Sequence, residues 1–317
     1  MRLLITGGCG FIGSNFIRYM LKKHPSYRII NLDKLTYCGR RENLKDVERD
    51  KRYTFVKGDI CNEKLVAKSM KNCDAVINFA AESHVDRSIS DASDFIRTNV
   101  HGVQVLLDAA RKNRIKKFIQ ISTDETYGSI KRGSFKETSL LHPNSPYAAS
   151  KAGGDHLALA YYTTFKTPVI VTRSSNNFGP YQFPEKVMPL FITNLLENKK
   201  VPLYGDGMNV RDWLYVLDNC RAIDVILHRG KNGEIYNIGG SYEIPNIKLT
   251  RMILKLLGKS SRMIKYVPDR LGHDRRYSLS SSKIKRLGWQ PTKDFNAAIK
   301  ETIEWYKDNK SWWKRLK

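Results

Sequence analysis

Short runs of aliphatic and β-branched residues alternate with amphipathic stretches along the first half of the chain. RLLIT is followed by FIGSNFIRYMLKKH and then YRIINLD, with YTFVKGD, DAVINFAA, KKFIQIS and PVIVTRSS further on. Strand-like runs separated by helical periodicity predict an α/β fold, a doubly wound parallel sheet whose right-handed crossovers cover both faces with helices. After about residue 175 the pattern changes to segments punctuated by proline and glycine (GPYQFPEKVMP, VPLYGDG, GGSYEIPN, PDRLGHD) with helices between them. This predicts a smaller, loop-rich α/β lobe lying over the carboxyl ends of the strands, where open α/β sheets bind ligands. The expected division is 1–175 for the sheet domain, with part of 212–240 returning to it, and 176–317 for the discontinuous lobe. No internal repeat or low-complexity tract interrupts the pattern.

Length and composition narrow the class without changing it. With 317 residues, 41% hydrophobic and 27% charged, the chain reads as an ordinary globular protein of about two domains. No apolar run approaches the roughly 18 residues of a membrane span. MRLLITGGCGFIG breaks into glycines too soon for a signal peptide, so a cytoplasmic location and no membrane partner are expected. Five scattered cysteines and seven dispersed histidines show no metal-ligand spacing, so free thiols and no metal are expected. The net charge of +24 is spread over nearly every segment instead of being clustered with aromatics, so specific nucleic-acid binding is not expected. The basic, aromatic ending NKSWWKRLK reads either as a membrane-surface segment or as a terminal helix tucking Trp312 and Trp313 onto the body.

The strongest local chemistry follows the first strand. In TGGCGFIG, Gly7, Gly10 and Gly13 stand three apart and lead into an amphipathic helix, the arrangement that lets a backbone approach a pyrophosphate at a helix N-terminus. Asp33 ends the second strand, where a carboxylate accepts hydrogen bonds from a ribose hydroxyl. Its charge would repel a 2′-phosphate, so NAD is favoured over NADP despite Lys34, Arg40 and Arg41 nearby. A Rossmann-type cofactor site is therefore expected, with Asp59 and Ala80–Ala81 at the ends of later strands.

Two further clusters carry candidate acid and base groups. Ser145 and Pro146 read as N-cap and first residue of a helix that sets Tyr147 and Lys151 one turn apart. The ammonium is expected to lower the phenol's pKa so that it can act as a base. Asp124 and Glu125 stand side by side after the strand-like KKFIQIS. Ser122-Thr123-Asp124-Glu125 also fits a capping box, which would make the pair a helix start.

Taken together, these residues identify a resemblance. TGGxGFIG with YxxxK is similar to the extended short-chain dehydrogenase/reductase superfamily of nucleotide-sugar enzymes. Within it, LDKLTYCG, FAAESHVDRSI, STDETYG, PNSPYAASKA, SSNNFGPYQFPEKVMP, PLYGDGMNVRDWLYV and GHDRRY resemble the dTDP-glucose 4,6-dehydratase family over nearly the whole chain. The resemblance implies oxidation of glucose C4, loss of water across C5 and C6, and return of hydride to C6. It implies Asp124 as the acid for the departing C6 hydroxyl, Glu125 as the base at C5, Thr123 at the C4 oxygen, Tyr147 as the C4 base and Lys151 on the nicotinamide ribose.

It further implies that NAD is held by Gly7, Gly10, Phe11, Ile12, Gly13, Asp33, Lys34, Leu35, Thr36, Asp59, Ile60, Phe79, Ala80, Ala81, Ser83, Thr98, Tyr147, Lys151 and Asn177. The nucleotide sugar, dTDP-glucose ahead of UDP-glucose, would meet Ser83, Thr123, Asn176, Lys186, Val187, Pro202, Leu203, Tyr204, Arg211, Asn246, Asp269, Arg270, Gly272 and His273. A homodimer pairing through about 98–112 and 146–165 is implied as well. Two departures stand out: Thr126 replaces an apolar residue after the glutamate, and Leu271 replaces a proline in the loop before His273. A 4-epimerase needs only hydroxyl, tyrosine and lysine, and a non-catalytic polyanion-binding relative needs none of the set.

Overall fold

The computed structural model describes residues 1–317. Seven strands form the main sheet: β1 (Arg2–Thr6), β2 (Arg28–Asp33), β3 (Tyr53–Lys57), β4 (Ala75–Asn78), β5 (Lys117–Thr123), β6 (Val169–Ser174) and, much later in the chain, Ile235–Ile238. Their order is β3-β2-β1-β4-β5-β6 followed by Ile235–Ile238, every pair parallel. The doubly wound parallel sheet expected from the alternation is therefore present.

Each strand is apolar on both sides because both sides are covered. Leu3, Ile5, Ile29, Ile77, Ile119 and Ile170 face one core. Their immediate neighbours Leu4, Ile30, Val76, Phe118, Val169 and Val171 face the other, as a two-residue side-chain period requires. Phe16, Ile17 and Met20 of helix Phe11–Lys23, with Ile223 and Ile226 of helix Val216–Arg229, cover the first face. Val66, Leu106 and Ala158, from helices Glu63–Met70, Gly102–Lys112 and Pro146–Phe165, cover the second.

The chain runs outward from β1 in both directions, so the crossovers diverge between β1 and β4 and leave a crevice at the carboxyl ends of these strands. The second half builds over it. Strands β7 (Asn176–Phe178) and β9 (Val210–Tyr215) join Glu243–Pro245 in a three-stranded sheet, and β8 (Val201–Tyr204) pairs with Ile264–Val267. We number Ile235–Ile238 β10, Glu243–Pro245 β11 and Ile264–Val267 β12. The C-terminal aromatics pack on the body: the buried Trp313 indole donates to the Tyr306 carbonyl at 2.7 Å and Trp312 donates to Asn43 Oδ1 at 2.9 Å. No helix is long and apolar enough to cross a membrane, and all five cysteines are free thiols.

Candidate active site

The glycine turn is built by close approach. Gly7 has φ +67° and a Cβ there would lie 2.5 Å from the Ala80 nitrogen, while one on Gly13 would lie 2.5 Å from the Gly7 carbonyl. Only glycine fits both places. No side chain caps helix Phe11–Lys23, which starts at Gly10, so its first amides are left for an anion. Asp33 ends β2 with Oδ2 accepting from Cys9 N and Oδ1 from Leu35 N, both at 2.8 Å. Its buried carboxylate is thereby fixed beside the crevice. The three cations near it each have their own carboxylate: Lys34 lies 3.0 Å from Asp59, Arg40 lies 3.3 Å from Glu42, and Arg41 pairs with Glu48. The buried Asp33 carboxylate disfavours a 2′-phosphate, which favours NAD.

The acid–base centre forms where β5 ends. The strand continues through Thr123 and breaks into a single 3₁₀ turn, Asp124–Tyr127, closed by Gly128 at φ +79°. Thr123 is the cap, its Oγ1 accepting from Glu125 N at 3.3 Å. The capping box expected from Ser122 does not form, because Ser122 is still in the strand and donates to Asp155 at 2.9 Å. Thr126 is fully buried and its hydroxyl donates to the Thr123 carbonyl at 2.9 Å, so the departure from an apolar residue ties the turn together. Opposite stands helix Pro146–Phe165, capped as expected by Ser145 Oγ accepting from Ala148 N at 3.1 Å. It buries Tyr147 and Lys151 against this turn.

Burial sets the electrostatics. Asp124 is pushed well above the usual carboxylate range, first by burial and then by the charge of Glu125. Glu125 is also raised by burial, but Arg270, Lys186 and Arg211 all pull it back down. Burial and charge thus favour a proton on Asp124 ahead of Glu125. Tyr147 is raised by burial and by Glu125, with Thr123 acting the other way. Lys151, expected to lower it, is not among the groups that do: the ammonium donates to the Ile121 carbonyl at 2.6 Å, and burial brings Lys151 itself down to about 8.

These groups share one cleft of ≈ 320 Å³. Its walls bring together Gly7, Gly10, Phe11, Ile12, Gly13, Asp33, Lys34, Thr36, Asp59, Ile60, Phe79, Ala80, Ala81, Ser83 and Thr98 with Thr123, Asp124, Glu125, Tyr147, Lys151, Asn176, Asn177 and Lys186. Leu35 is not in the wall; it turns at φ +59° and packs on the core. The Leu203 side chain also lies in the core, as part of strand β8 between Pro202 and the exposed Tyr204, and Val187 begins the next helix.

Around the cleft, Arg211 lies over the Tyr277 ring at 4.2 Å and donates to the Asp274 carbonyl at 2.9 Å. Asp269 and His273 pair at 2.5 Å around Gly272, φ +61°, in a loop whose Leu271 is exposed. Buried polar atoms in this region that lack any partner include Asp124 Oδ2, Asn176 Oδ1, Asn177 Oδ1, Gln182 Oε1, Asn246 Oδ1 and Arg270 Nε. Unpaired polar atoms grouped around one cleft are what a polar ligand would satisfy.

Sequence reasoning missed several residues here. Tyr37 donates to Glu185 at 2.7 Å, closing a contact across the cleft between the β2 loop and the second-half lobe. Nothing in the pattern marked that pair. Asp155 was findable, since it continues the face of Tyr147 and Lys151 at i+4 on a largely apolar helix. It is fully buried, paired with Arg173 at 2.9 Å, and its charge supports that of Lys151.

Comparison with known proteins agrees with this geometry. Residues 4–302 match the family described as GDP-mannose 4,6 dehydratase. The dTDP-glucose 4,6-dehydratase of Streptomyces niveus is 50% identical over 322 residues, covering 100% of this chain and 96% of that protein. The crystal structure of DesIV, a dTDP-glucose 4,6-dehydratase from Streptomyces venezuelae solved with NAD bound, superposes with a TM-score of 0.99 at 51% identity, covering 100% of both chains. A UDP-glucuronic acid 4-epimerase from Bacillus cereus superposes with a TM-score of 0.92 at 29% identity, covering 97% of this chain and 99% of its own. The backbone is thus shared by enzymes of different chemistry, and the side chains of the cleft must discriminate.

Proposed function

This chain belongs to the dTDP-glucose 4,6-dehydratase family, and we propose that it converts dTDP-glucose to dTDP-4-keto-6-deoxyglucose and water. NAD is the cofactor. The glycine turn, the uncapped helix start and Asp33 fit its pyrophosphate and ribose, and Asn177, with an unpaired buried Oδ1, is assigned to it. When bound it supplies the hydride acceptor for C4 and the donor for C6, so the sugar undergoes no net oxidation.

The remaining steps belong to the chain's own groups. Tyr147 accepts the C4 hydroxyl proton, Thr123 holds the C4 oxygen, and Lys151 orients the nicotinamide ribose. Once C4 is a ketone its neighbour C5 is acidic enough for a carboxylate, and Glu125 removes that proton and returns it to C5 when C6 is reduced. Asp124, which burial keeps neutral, gives its proton to the C6 oxygen so that it departs as water. Lys186, Arg211 and Arg270 oppose the burial that raises Glu125 and offer donors to the sugar diphosphate. Residues 1–175, with part of 212–240, then form the cofactor domain, which Asn177 also serves, and the discontinuous lobe 176–317 carries the nucleotide sugar.

The observation that carries this reading is the adjacent Asp124–Glu125 pair, with both pKa values raised and the aspartate's the more strongly. A 4-epimerase has no use for it. Incubation with dTDP-glucose and with UDP-glucose, without added NAD, tests the proposal by the mass loss of one water. Rapid loss with dTDP-glucose is expected. A preference of about 10–200-fold over UDP-glucose is expected as well, the usual worth of one methyl in an apolar pocket. An isomeric product of unchanged mass would establish the epimerase instead.

The protein acts in the cytoplasm as a homodimer in this reading. Helix Pro146–Phe165 exposes Ala149, His156, Ala160 and Phe165 on its outer side, a close-packing surface for a second copy. Sedimentation at micromolar concentration checks the dimer.

A further inference from the structure

The histidines that are dispersed along the chain are not all dispersed in space. His24, the C-cap of helix Phe11–Lys23, meets Asp224 and His228 of helix Val216–Arg229, and one ligand atom from each lies within 4.8 Å of the others. We propose that His24, Asp224 and His228 form a binding site for a borderline divalent transition ion of the zinc, cobalt or nickel class. Folding alone creates it, since the helices come from sequence positions 200 residues apart.

The geometry is close to what such an ion requires. His24 Nε2 lies 2.9 Å from Asp224 Oδ1, and His228 Nδ1 lies 3.1 Å from the same oxygen. In a tetrahedral site with bonds of about 2.0–2.1 Å, neighbouring ligand atoms stand about 3.3 Å apart. Binding therefore needs only a few tenths of an ångström of expansion along these two edges. Two imidazoles and one carboxylate are also the donor set that borderline ions prefer over magnesium or calcium.

The surroundings set up the ligands. Asp224 is 3% exposed and its carboxylate is paired with Lys23 at 2.8 Å. Its second oxygen is held by Lys23 at 2.8 Å and Tyr19 at 3.3 Å, which leaves Oδ1 turned to the histidines. His228 Nε2 lies 2.7 Å from the Tyr27 hydroxyl. His228 Nδ1 also lies 2.8 Å from the Asp224 backbone carbonyl, so an ion at Nδ1 replaces the proton shared with that carbonyl, and the ring then donates from Nε2 to the Tyr27 hydroxyl. In the absence of metal the same contacts are bridged by protons, so the ion replaces the imidazole protons that point at Asp224. Both histidines are partly exposed, which provides the entry path.

Cobalt and zinc titration of the untagged holoenzyme after chelator dialysis tests the proposal. One cobalt ion per chain is expected, with a tetrahedral visible spectrum that zinc displaces. His24→Gln and His228→Gln should each weaken binding more than about 100-fold, and Tyr27→Phe about 10–100-fold. The circular dichroism and dehydration rate of the metal-free variants should match the parent. Because Asp224 is buried with many partners, Asp224→Asn is used only if it unfolds at the parent's urea midpoint. Absence of a tetrahedral band, or a band that survives both histidine substitutions, overturns the site and leaves the cluster a proton-bridged contact between two helices.

Discussion

Replacing Asp155 by leucine isolates the buried charge beneath the catalytic turn. The pair is out of water, with Asp155 0% and Arg173 2% exposed, and the carboxylate Oδ2 accepts from Arg173 Nε and from Ser122 Oγ, both at 2.9 Å. Removing one partner of such a pair costs about 3–5 kcal/mol, because the other charge stays buried without compensation. Loss of the Ser122 hydrogen bond contributes about 1 kcal/mol of the same order. Burial raises the Asp155 pKa despite Arg173 and Lys151. Its carboxyl therefore contributes most below its unfolded value, near 3.8, and that contribution is lost as pH rises through the folded value. Arg173 is raised by the same contact, so the pair as a whole is close to neutral for stability while each partner depends on the other.

Urea unfolding of Asp155→Leu, Arg173→Met and the double variant forms the cycle. Each single change should lose about 3–5 kcal/mol, and the double change should come within about 1 kcal/mol of the parent. A second readout follows from Lys151, whose pKa of about 8 is supported by the Asp155 charge. Without that carboxylate, the alkaline fall in dehydration rate should move to lower pH. A single variant that costs less than about 1 kcal/mol, or a double variant as unstable as either single, refutes the reasoning.

Three further outcomes test the acid–base assignments. Glu125→Gln should keep C4 oxidation, seen as reduced-nicotinamide absorbance on adding substrate, while dehydration falls about 10²–10⁴-fold, the usual worth of a positioned base; full turnover would remove Glu125 from the role. Asp124→Asn should abolish water loss and raise stability at neutral pH. The raised folded pKa of Asp124 means that its stabilising contribution, complete below about 3.8, is lost as pH rises, so urea unfolding at acid and neutral pH should show the gain only at neutral pH. In the parent, the dehydration rate should fall as pH rises through about 8, where Lys151 gives up its proton, and a rate still flat a full pH unit above that would exclude the lysine as the cation required.

The sheet was legible because burial on both faces makes each strand a continuous apolar run, as Leu3, Leu4 and Ile5 illustrate. The cofactor turn was legible because only glycine permits its backbone contacts. Side-chain partnerships were less so. Ser122 matched a capping pattern, yet its hydroxyl is taken by Asp155, a residue 33 positions away. Lys151 was read as the group that lowers the Tyr147 pKa, but burial dominates both and the ammonium is held by a backbone carbonyl. Leu203 is assigned to the nucleotide sugar by the resemblance, and strand alternation turns its side chain to the core. In each case the spacing along the chain was right, and what decided the outcome was the third-dimensional neighbour that no spacing reports.

Strand β10 has a consequence for how the protein is made. It covers the free side of β6 through a parallel ladder from Ile235↔Val171 to Ile238↔Ser174. From Ser174 to Ile235 the ribosome must add 61 residues, which at about 5–20 residues per second takes about 3–12 s. Through that interval the nascent domain already has six strands and a catalytic helix, but it ends in an open row of unpaired amides and carbonyls on β6. Such an edge is a template for another chain. Slowing translation across the codons for residues 175–238 is expected to increase aggregation more than slowing it anywhere earlier, read as the soluble fraction of the product.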